Sequence, residues 1–83
     1  MYVIVVYDSD SKERKNIRSI VMPHLNWVQN SVFAGELTRV VALELYDALK
    51  DRISDARVTM WLIDRKPEVF HIGAQEDMES IFV

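Results

Sequence analysis

One aspartate stands where ligand and metal sites commonly form. Asp8 directly follows an apolar run, Tyr2 to Tyr7, that is rich in β-branched and aromatic residues, the composition of a central strand covered on both faces. Residues at the carboxyl end of a strand often hold ligands or metals. Magnesium commonly takes one or two carboxylates and fills its octahedral shell with water and substrate phosphate, so a two-fold axis near Asp8 would supply the second carboxylate. The local alternative is an aspartate that serves only a turn or a helix cap.

The other candidate ligands have simpler explanations. Asp10 precedes Glu13 by three residues, which is the spacing of a capping box, so we expect Asp10 to cap a helix. His24 and His71 have no acid or cysteine beside them at metal-ligand spacing, and this indicates surface or turn histidines. The sequence contains no Gly-rich phosphate loop, GxSxG motif, cysteine or paired-glutamate glycosidase pattern, which excludes those enzyme classes.

A basic cluster follows the two aspartates within one seven-residue stretch. Its members are Lys12, Arg14, Lys15 and Arg18. The formal net charge of −3 argues against a protein whose whole surface binds nucleic acid. Four cations over about two helical turns can nevertheless contact the phosphates of a nucleic acid without reading its bases. The alternative is a solvated helix face, and since no base-reading motif accompanies the cluster, it predicts only sequence-independent binding.

The composition indicates a single folded domain, residues 1–83. Hydrophobic residues make up 49% of the chain, with only two Gly and two Pro, as in a packed domain. A domain of this size buries only about 60% of the surface of its unfolded chain, so a partner surface would add stability. The chain has no cysteine, which suits a reducing cytoplasm, and its apolar start is far shorter than a membrane span. We expect a cytoplasmic protein with no membrane partner.

Hydrophobic periodicity places the remaining elements. It predicts one helix from Ser11 to Met22 and a second from Arg39 to Ile53. Between them, Trp27 to Leu37 has a strand-like pattern that fits one bent strand or a tight hairpin. Arg57 to Ile63 is predicted as a further strand, and Glu68 to Ile72 as a short final strand.

This order predicts an α+β fold, a ferredoxin-like βαββαβ arrangement with an additional C-terminal strand. In that fold both helices cover one face of an antiparallel sheet. Large apolar residues are expected on or near the sheet, namely Trp27, Phe33, Met60 and Trp61. Because one helical layer cannot bury both faces, we expect a homodimer packed through its sheet faces, with Trp27, Phe33 and Trp61 at the interface.

Three blocks of the sequence resemble a known family. They are MYVIVVYD at the start, NWVQNSVFAGELT in the middle, and IGA with an acidic tail near the end. Together they resemble the Cas2 family of CRISPR-associated proteins over most of the chain. The resemblance implies a homodimer whose C-terminal segment, residues 67–83, docks on the partner subunit. It also implies that Asp8 of each subunit faces the two-fold axis, where the pair would hold Mg²⁺.

The same resemblance implies two roles. One is a metal-dependent endonuclease for RNA or DNA, with Asp8 catalytic. The other is a subunit that bridges dimers of the CRISPR integrase, Cas1, and binds double-stranded protospacer DNA during spacer acquisition in antiviral defense; single-stranded RNA is a further nucleic-acid partner. Many relatives carry Arg where this sequence has Trp27, and Glu where it has Ala34. This chain therefore lacks one positive and one negative group that in those relatives would serve phosphate positioning or a subunit ion pair. The alternative is a toxin-like ribonuclease or a non-catalytic ferredoxin-like interaction module.

Overall fold

The computed structural model describes residues 1–73 and contains six elements in the predicted order. They are β1 (Tyr2–Asp8), α1 (Ser11–Val21), β2 (Asn26–Gln29), β3 (Val32–Glu36), α2 (Arg39–Arg52) and β4 (Arg57–Ile63). Of the two arrangements that the sequence allowed for its middle block, the hairpin is the one that forms. Both helices end one residue earlier than predicted. The prediction of a ferredoxin-like α+β fold is confirmed.

The strands form one antiparallel sheet in the order β2-β3-β1-β4, with β1 in the middle beside β3 and β4. Val5 of β1 lies opposite Phe33 on one side and Met60 on the other. Since successive residues of a strand point to opposite faces, these three side chains share one face. Ile4, one residue earlier, pairs with Ala34 and Trp61 on the opposite face.

Both helices pack on the face that carries Val5. The buried cluster combines alternate residues of β1 with the apolar sides of α1 and α2. Its members are Val3, Val5, Tyr7, Ile17, Ile20, Val21, Leu25, Phe33, Ala42, Leu45 and Leu49. The rings of Tyr7 and Phe33 stack at the centre, with their centroids 6.3 Å apart and their planes inclined by 24°. This cluster is the hydrophobic core of the domain.

Phe33 was expected at the dimer interface, and the structure corrects this expectation. Its side chain is fully buried under the helices, with 0% exposure. Trp27 lies opposite Phe33 in the β2–β3 register and packs against the same core. Between the two strands, Asn30 turns the chain with a positive φ of 43°, and the register shifts between Trp27 and Gln29. Trp27 and Phe33 share the face that the helices cover, which the apolar character of the residues alone does not predict. Met60 also faces the helices, opposite Val5.

The open face of the sheet is largely apolar. Trp61 of β4 is 49% exposed there, and its neighbours across β1 and β3 are short aliphatic residues. The partly exposed apolar residues of this face are Ile4, Val6, Val32, Trp61 and Ile63. Of the three residues expected at an interface, only Trp61 therefore lies on the face that no helix covers.

The predicted N-cap of α1 forms, and Glu13 in the same turn makes contacts outside the helix. The side chain of Asp10 accepts the backbone N–H of Glu13 at 2.9 Å, so Asp10 caps α1 as expected. The Glu13 carboxylate does not complete a capping box. It accepts the backbone N–H groups of Ser54 and Asp55, both at 3.3 Å, and the side-chain amide of Asn16 at 3.2 Å. Glu13 is buried, and it joins α1 to the loop after α2.

The segment after β4 differs from its prediction. Glu68 to Ile72 forms no strand in this chain. Phe70 is 86% exposed and Ile72 is fully exposed, whereas Val69 is half-buried, so the segment presents one apolar side to solvent. The acidic tail and the end of the predicted docking segment, residues 74–83, lie outside the described residues. Neither helix in residues 1–73 is long and apolar enough to cross a membrane.

Candidate functional site

Asp8 is the last residue of β1, as predicted, and its side chain is exposed. The β1–β4 register places Asp8 opposite Arg57, at the end of the sheet from which α1 departs. Its carboxylate makes no hydrogen bond and no ion pair with the residues that the structure describes. The carboxylate of Asp10, two residues later, is occupied by the helix cap. Among the described residues, both oxygens of Asp8 are therefore without a partner, whereas Oδ1 of Asp10 accepts the cap hydrogen bond.

A groove of about 780 Å³ opens beside Asp8, between the start of α1 and the β2–β3 hairpin. Its floor is the end of β1, one wall is α1, and the other wall is the hairpin. The lining residues are Tyr7, Asp8, Ser9, Arg14, Arg18, Met22, Trp27, Asn30 and Ser31. The groove thus joins the free carboxylate to two guanidinium groups and an indole ring.

The four predicted cations divide into two pairs. Arg14 and Arg18 are four residues apart, so they lie on one side of α1, and both line the groove. Within residues 1–73 neither guanidinium group forms an ion pair. Lys12 and Lys15 are exposed and are not among the groove residues. The arginine pair is consequently placed to bind a phosphate near Asp8, and the lysine pair faces solvent elsewhere on the helix.

Tyr7 is the residue of the groove that sequence reasoning missed. It is 4% exposed, and its backbone N–H donates to the carbonyl of Ser31 at 3.1 Å, which ties the end of β1 to the hairpin turn. Its phenolic oxygen is buried and has no hydrogen-bond partner among the described residues. Most buried hydroxyls have a partner. No sequence signal distinguishes this tyrosine from an ordinary core residue.

Among the described residues, Asp8 is the one carboxylate that lines the groove. Within residues 1–73, no group of three or more His, Cys, Asp or Glu side chains is close enough to hold an ion. His24 lies in the exposed turn after α1 and is not part of the groove, in agreement with its interpretation as a turn residue. The residues that the structure describes therefore do not form a complete protein cage for a metal at Asp8.

Comparison with known proteins gives the family. The family described as CRISPR associated protein Cas2 matches residues 1–67. The CRISPR-associated endoribonuclease Cas2 of Methanosarcina acetivorans is 43% identical over 56 residues, which are 68% of this chain and 64% of the relative. The protein of the same name from Methanocaldococcus jannaschii is 47% identical over 53 residues, 64% of this chain and 43% of the relative. The match spans less than two thirds of either relative.

Solved structures of Cas2 proteins have the same fold as this chain. A crystal structure of a Cas2 protein superposes with a TM-score of 0.82 at 33% identity, covering 94% of this chain and 91% of that one. The Cas2 of Streptococcus pyogenes superposes with a TM-score of 0.68 at 22% identity, covering 76% and 86% of the two chains, and supports the fold alone. The family match over residues 1–67, together with this fold, shows that the chain belongs to the CRISPR-associated Cas2 family.

Proposed function

We propose that this protein is a dimeric subunit of CRISPR adaptation that carries a metal-dependent endonuclease site at its two-fold axis. The observation that carries the proposal is the exposed, unengaged carboxylate of Asp8 beside the guanidinium groups of Arg14 and Arg18. A carboxylate that can hold a cation and two groups that can hold a phosphate are the elements of phosphodiester hydrolysis. Relatives named CRISPR-associated endoribonucleases support the same reaction class.

The open face of the sheet supports the proposed dimer. Its open face exposes an apolar surface around Ile4, Val6 and Trp61 that a second copy would cover. Asp8 lies on that same face, two residues after Val6 in the strand alternation. Packing through this face brings the ends of the two β1 strands together. The exposed Phe70 and Ile72 support docking of the C-terminal segment on the partner, because both leave apolar surface in water.

Asp8 of each subunit would hold a divalent cation, and the site fits a hard ion because its donors are carboxylate oxygens. When bound, Mg²⁺ supplies charge stabilisation to the scissile phosphate and lowers the pKa of a coordinated water. Arg14 and Arg18 bind the phosphate oxygens and neutralise the charge that develops on them. The walls of the groove hold the strand in place while the bond is cleaved.

The test compares wild type with Asp8→Asn, which keeps the size of the side chain and removes its charge. We expect magnesium-dependent cleavage of single-stranded RNA or double-stranded DNA by the wild type and its loss in the variant. Both proteins must be dimers of equal thermal stability for the comparison to count. Asp64→Asn, at an exposed turn after β4, is the matched control and should cleave as the wild type does. Equal cleavage by Asp8→Asn would refute the assignment.

A bridging role without cleavage is the second candidate. The observation that favours it is the exposed lysine pair, Lys12 and Lys15, which lies outside the groove and can contact the phosphates of a duplex. Such a subunit would bind protospacer DNA between integrase dimers. An integration assay with purified integrase tests it: Asp8→Asn should support integration fully, whereas Lys12→Glu with Lys15→Glu should reduce it. Full integration by the double variant would contradict the bridging role of these lysines.

A further inference from the structure

Trp27 occupies a position in the groove that phosphate binding alone does not explain. Its indole N–H donates to the carbonyl of Asn30 at 3.1 Å, so one edge of the ring is fixed to the hairpin turn. The ring packs against the core that contains Phe33 and still lines the groove. It is half-buried. A ring held in this way is an ordered aromatic surface at the side of the groove, and ordering it costs a ligand little entropy.

The other walls suit the remaining parts of a nucleotide. Arg14 and Arg18, on α1, line the same groove as Asp8, and their guanidinium groups suit a phosphate. Tyr7 lies at the floor of the groove, and its phenolic oxygen is buried, so it leaves the ligand contacts to the residues of the walls. The volume of about 780 Å³ lies within the range of small-molecule sites. An aromatic ring and two cationic groups therefore line one cavity.

We propose that this groove is a subsite for one unpaired nucleotide, whose base stacks on Trp27 while its phosphate binds Arg14 and Arg18. The inference rests on the proposed nuclease function and names its substrate class. A base inside a duplex is stacked on both faces and cannot reach the indole, so the subsite selects single-stranded nucleic acid or an unpaired end. Stacking is tolerant of sequence, because every base has a π face.

Binding without cleavage tests the subsite, so that its failure is separate from failure of the nuclease assignment. In the presence of a chelator, a labelled single-stranded octanucleotide is titrated by fluorescence anisotropy against wild type, Trp27→Leu and Trp27→Phe. Leucine keeps an apolar side chain against Phe33 and removes the stacking surface. We expect Trp27→Leu to bind about tenfold more weakly, the lower part of the range for loss of one base stack, and Trp27→Phe to retain most of the affinity.

An abasic octanucleotide with the same phosphates supplies the matched ligand. Its affinity should be equal for wild type and Trp27→Leu, and lowered by Arg14→Ala. Tyr46→Ala, which removes an exposed aromatic residue of α2 far from the groove in the sequence, should bind both ligands normally. Equal affinity of wild type and Trp27→Leu for the base-containing strand would overturn the proposal. So would a weakening that is the same for the abasic strand, because it would show a loss of fold or charge instead of stacking.

A direct spectroscopic readout uses Trp61→Phe, in which Trp27 is the sole tryptophan. The base-containing strand should quench its fluorescence at saturation, and a blunt duplex of the same sequence should not. Quenching by the duplex to the same extent would contradict selection of unpaired nucleotides. Cleavage measured separately with magnesium then shows whether the nuclease assignment stands, whatever the result at Trp27.

Discussion

The carboxylate of Glu13 accepts a hydrogen bond from the backbone N–H of Asp55 at 3.3 Å and so joins the first turn of α1 to the loop that follows α2. The two residues are 42 positions apart in the chain. Hydrogen bonds from Asn16, Asp55 and Ser54 lower the pKa of Glu13, in that order of importance, and they outweigh a smaller opposing effect of burial. Charge on this side chain is therefore part of how the helical layer is held together.

Glu13→Gln should lower the melting temperature at neutral pH and make stability less sensitive to acid. A carboxyl group whose pKa is lowered by folding stabilises the protein above its ordinary pKa of 4.5, and that contribution is lost as the pH falls through the lowered value. Thermal unfolding from about pH 3 to about pH 7 should show the gap between wild type and variant closing toward acid. Glu44→Gln, on the exposed side of α2, should show no gap. A gap that is constant with pH would contradict the assignment.

Asp8 and Asp10 should respond in opposite ways to the same substitution. Asp10→Ala removes the cap of α1 and should cost about 0.5–2 kcal/mol of unfolding free energy, with cleavage retained below the melting transition. Asp8→Ala breaks no contact among the described residues and should cost less than about 0.5 kcal/mol, with cleavage lost. Chemical denaturation and a cleavage assay on both variants provide the comparison. Equal loss of stability would show that Asp8 has a structural role.

Alanine substitution of Phe33 should impair folding, whereas alanine substitution of Trp61 should impair association. Phe33→Ala leaves a cavity under both helices and should destabilise the chain by about 3–5 kcal/mol, enough to unfold much of a marginal domain. Trp61→Ala removes an exposed side chain of the open face and should keep near-native circular dichroism while weakening the dimer. Sedimentation at several protein concentrations measures the association. An unchanged dimer in Trp61→Ala would exclude this part of the face from the interface.

The two cation pairs of α1 should have different effects on cleavage, although each pair carries the same charge. Arg14→Ala with Arg18→Ala should reduce cleavage and single-strand binding at least tenfold, because both side chains line the groove beside Asp8. Lys12→Ala with Lys15→Ala should leave cleavage near the wild-type rate and lessen the salt dependence of duplex binding. Equal losses of cleavage in the two double variants would mean that net charge, and not the groove, governs the reaction.

Local signals in the sequence were sufficient for most of the fold. The apolar run before Asp8 predicted the central strand, and Asp10 marked the first turn of α1, where its side chain accepts a backbone N–H. The strand Arg57–Ile63 has the predicted bounds. These features depend on neighbours within a few residues, which a single sequence displays directly.

What the sequence did not predict depends on distant residues. Phe33 was assigned to the wrong face because the sequence of the hairpin does not show which face of the sheet the two helices cover. Glu13 was expected to act within its own helix, and two of its three hydrogen-bond donors, Ser54 and Asp55, lie more than forty residues away. Tyr7 lines the groove because the hairpin turn lies next to the end of β1. The residues that flank Tyr7 in the sequence do not predict the position of that turn.

The alternation of β1 also separates the positions that affect folding from those that affect function. Val3, Val5 and Tyr7 face the helices, whereas Ile4, Val6 and Asp8 face the open side of the same strand. A saturation screen scored by cellular abundance should detect changes at the first three positions, since these lower the fraction of folded chain. If the same library is scored by CRISPR adaptation in cells, it should also detect changes at Ile4, Val6 and Asp8. Substitutions at alternate positions of this one strand would then give two different phenotypes.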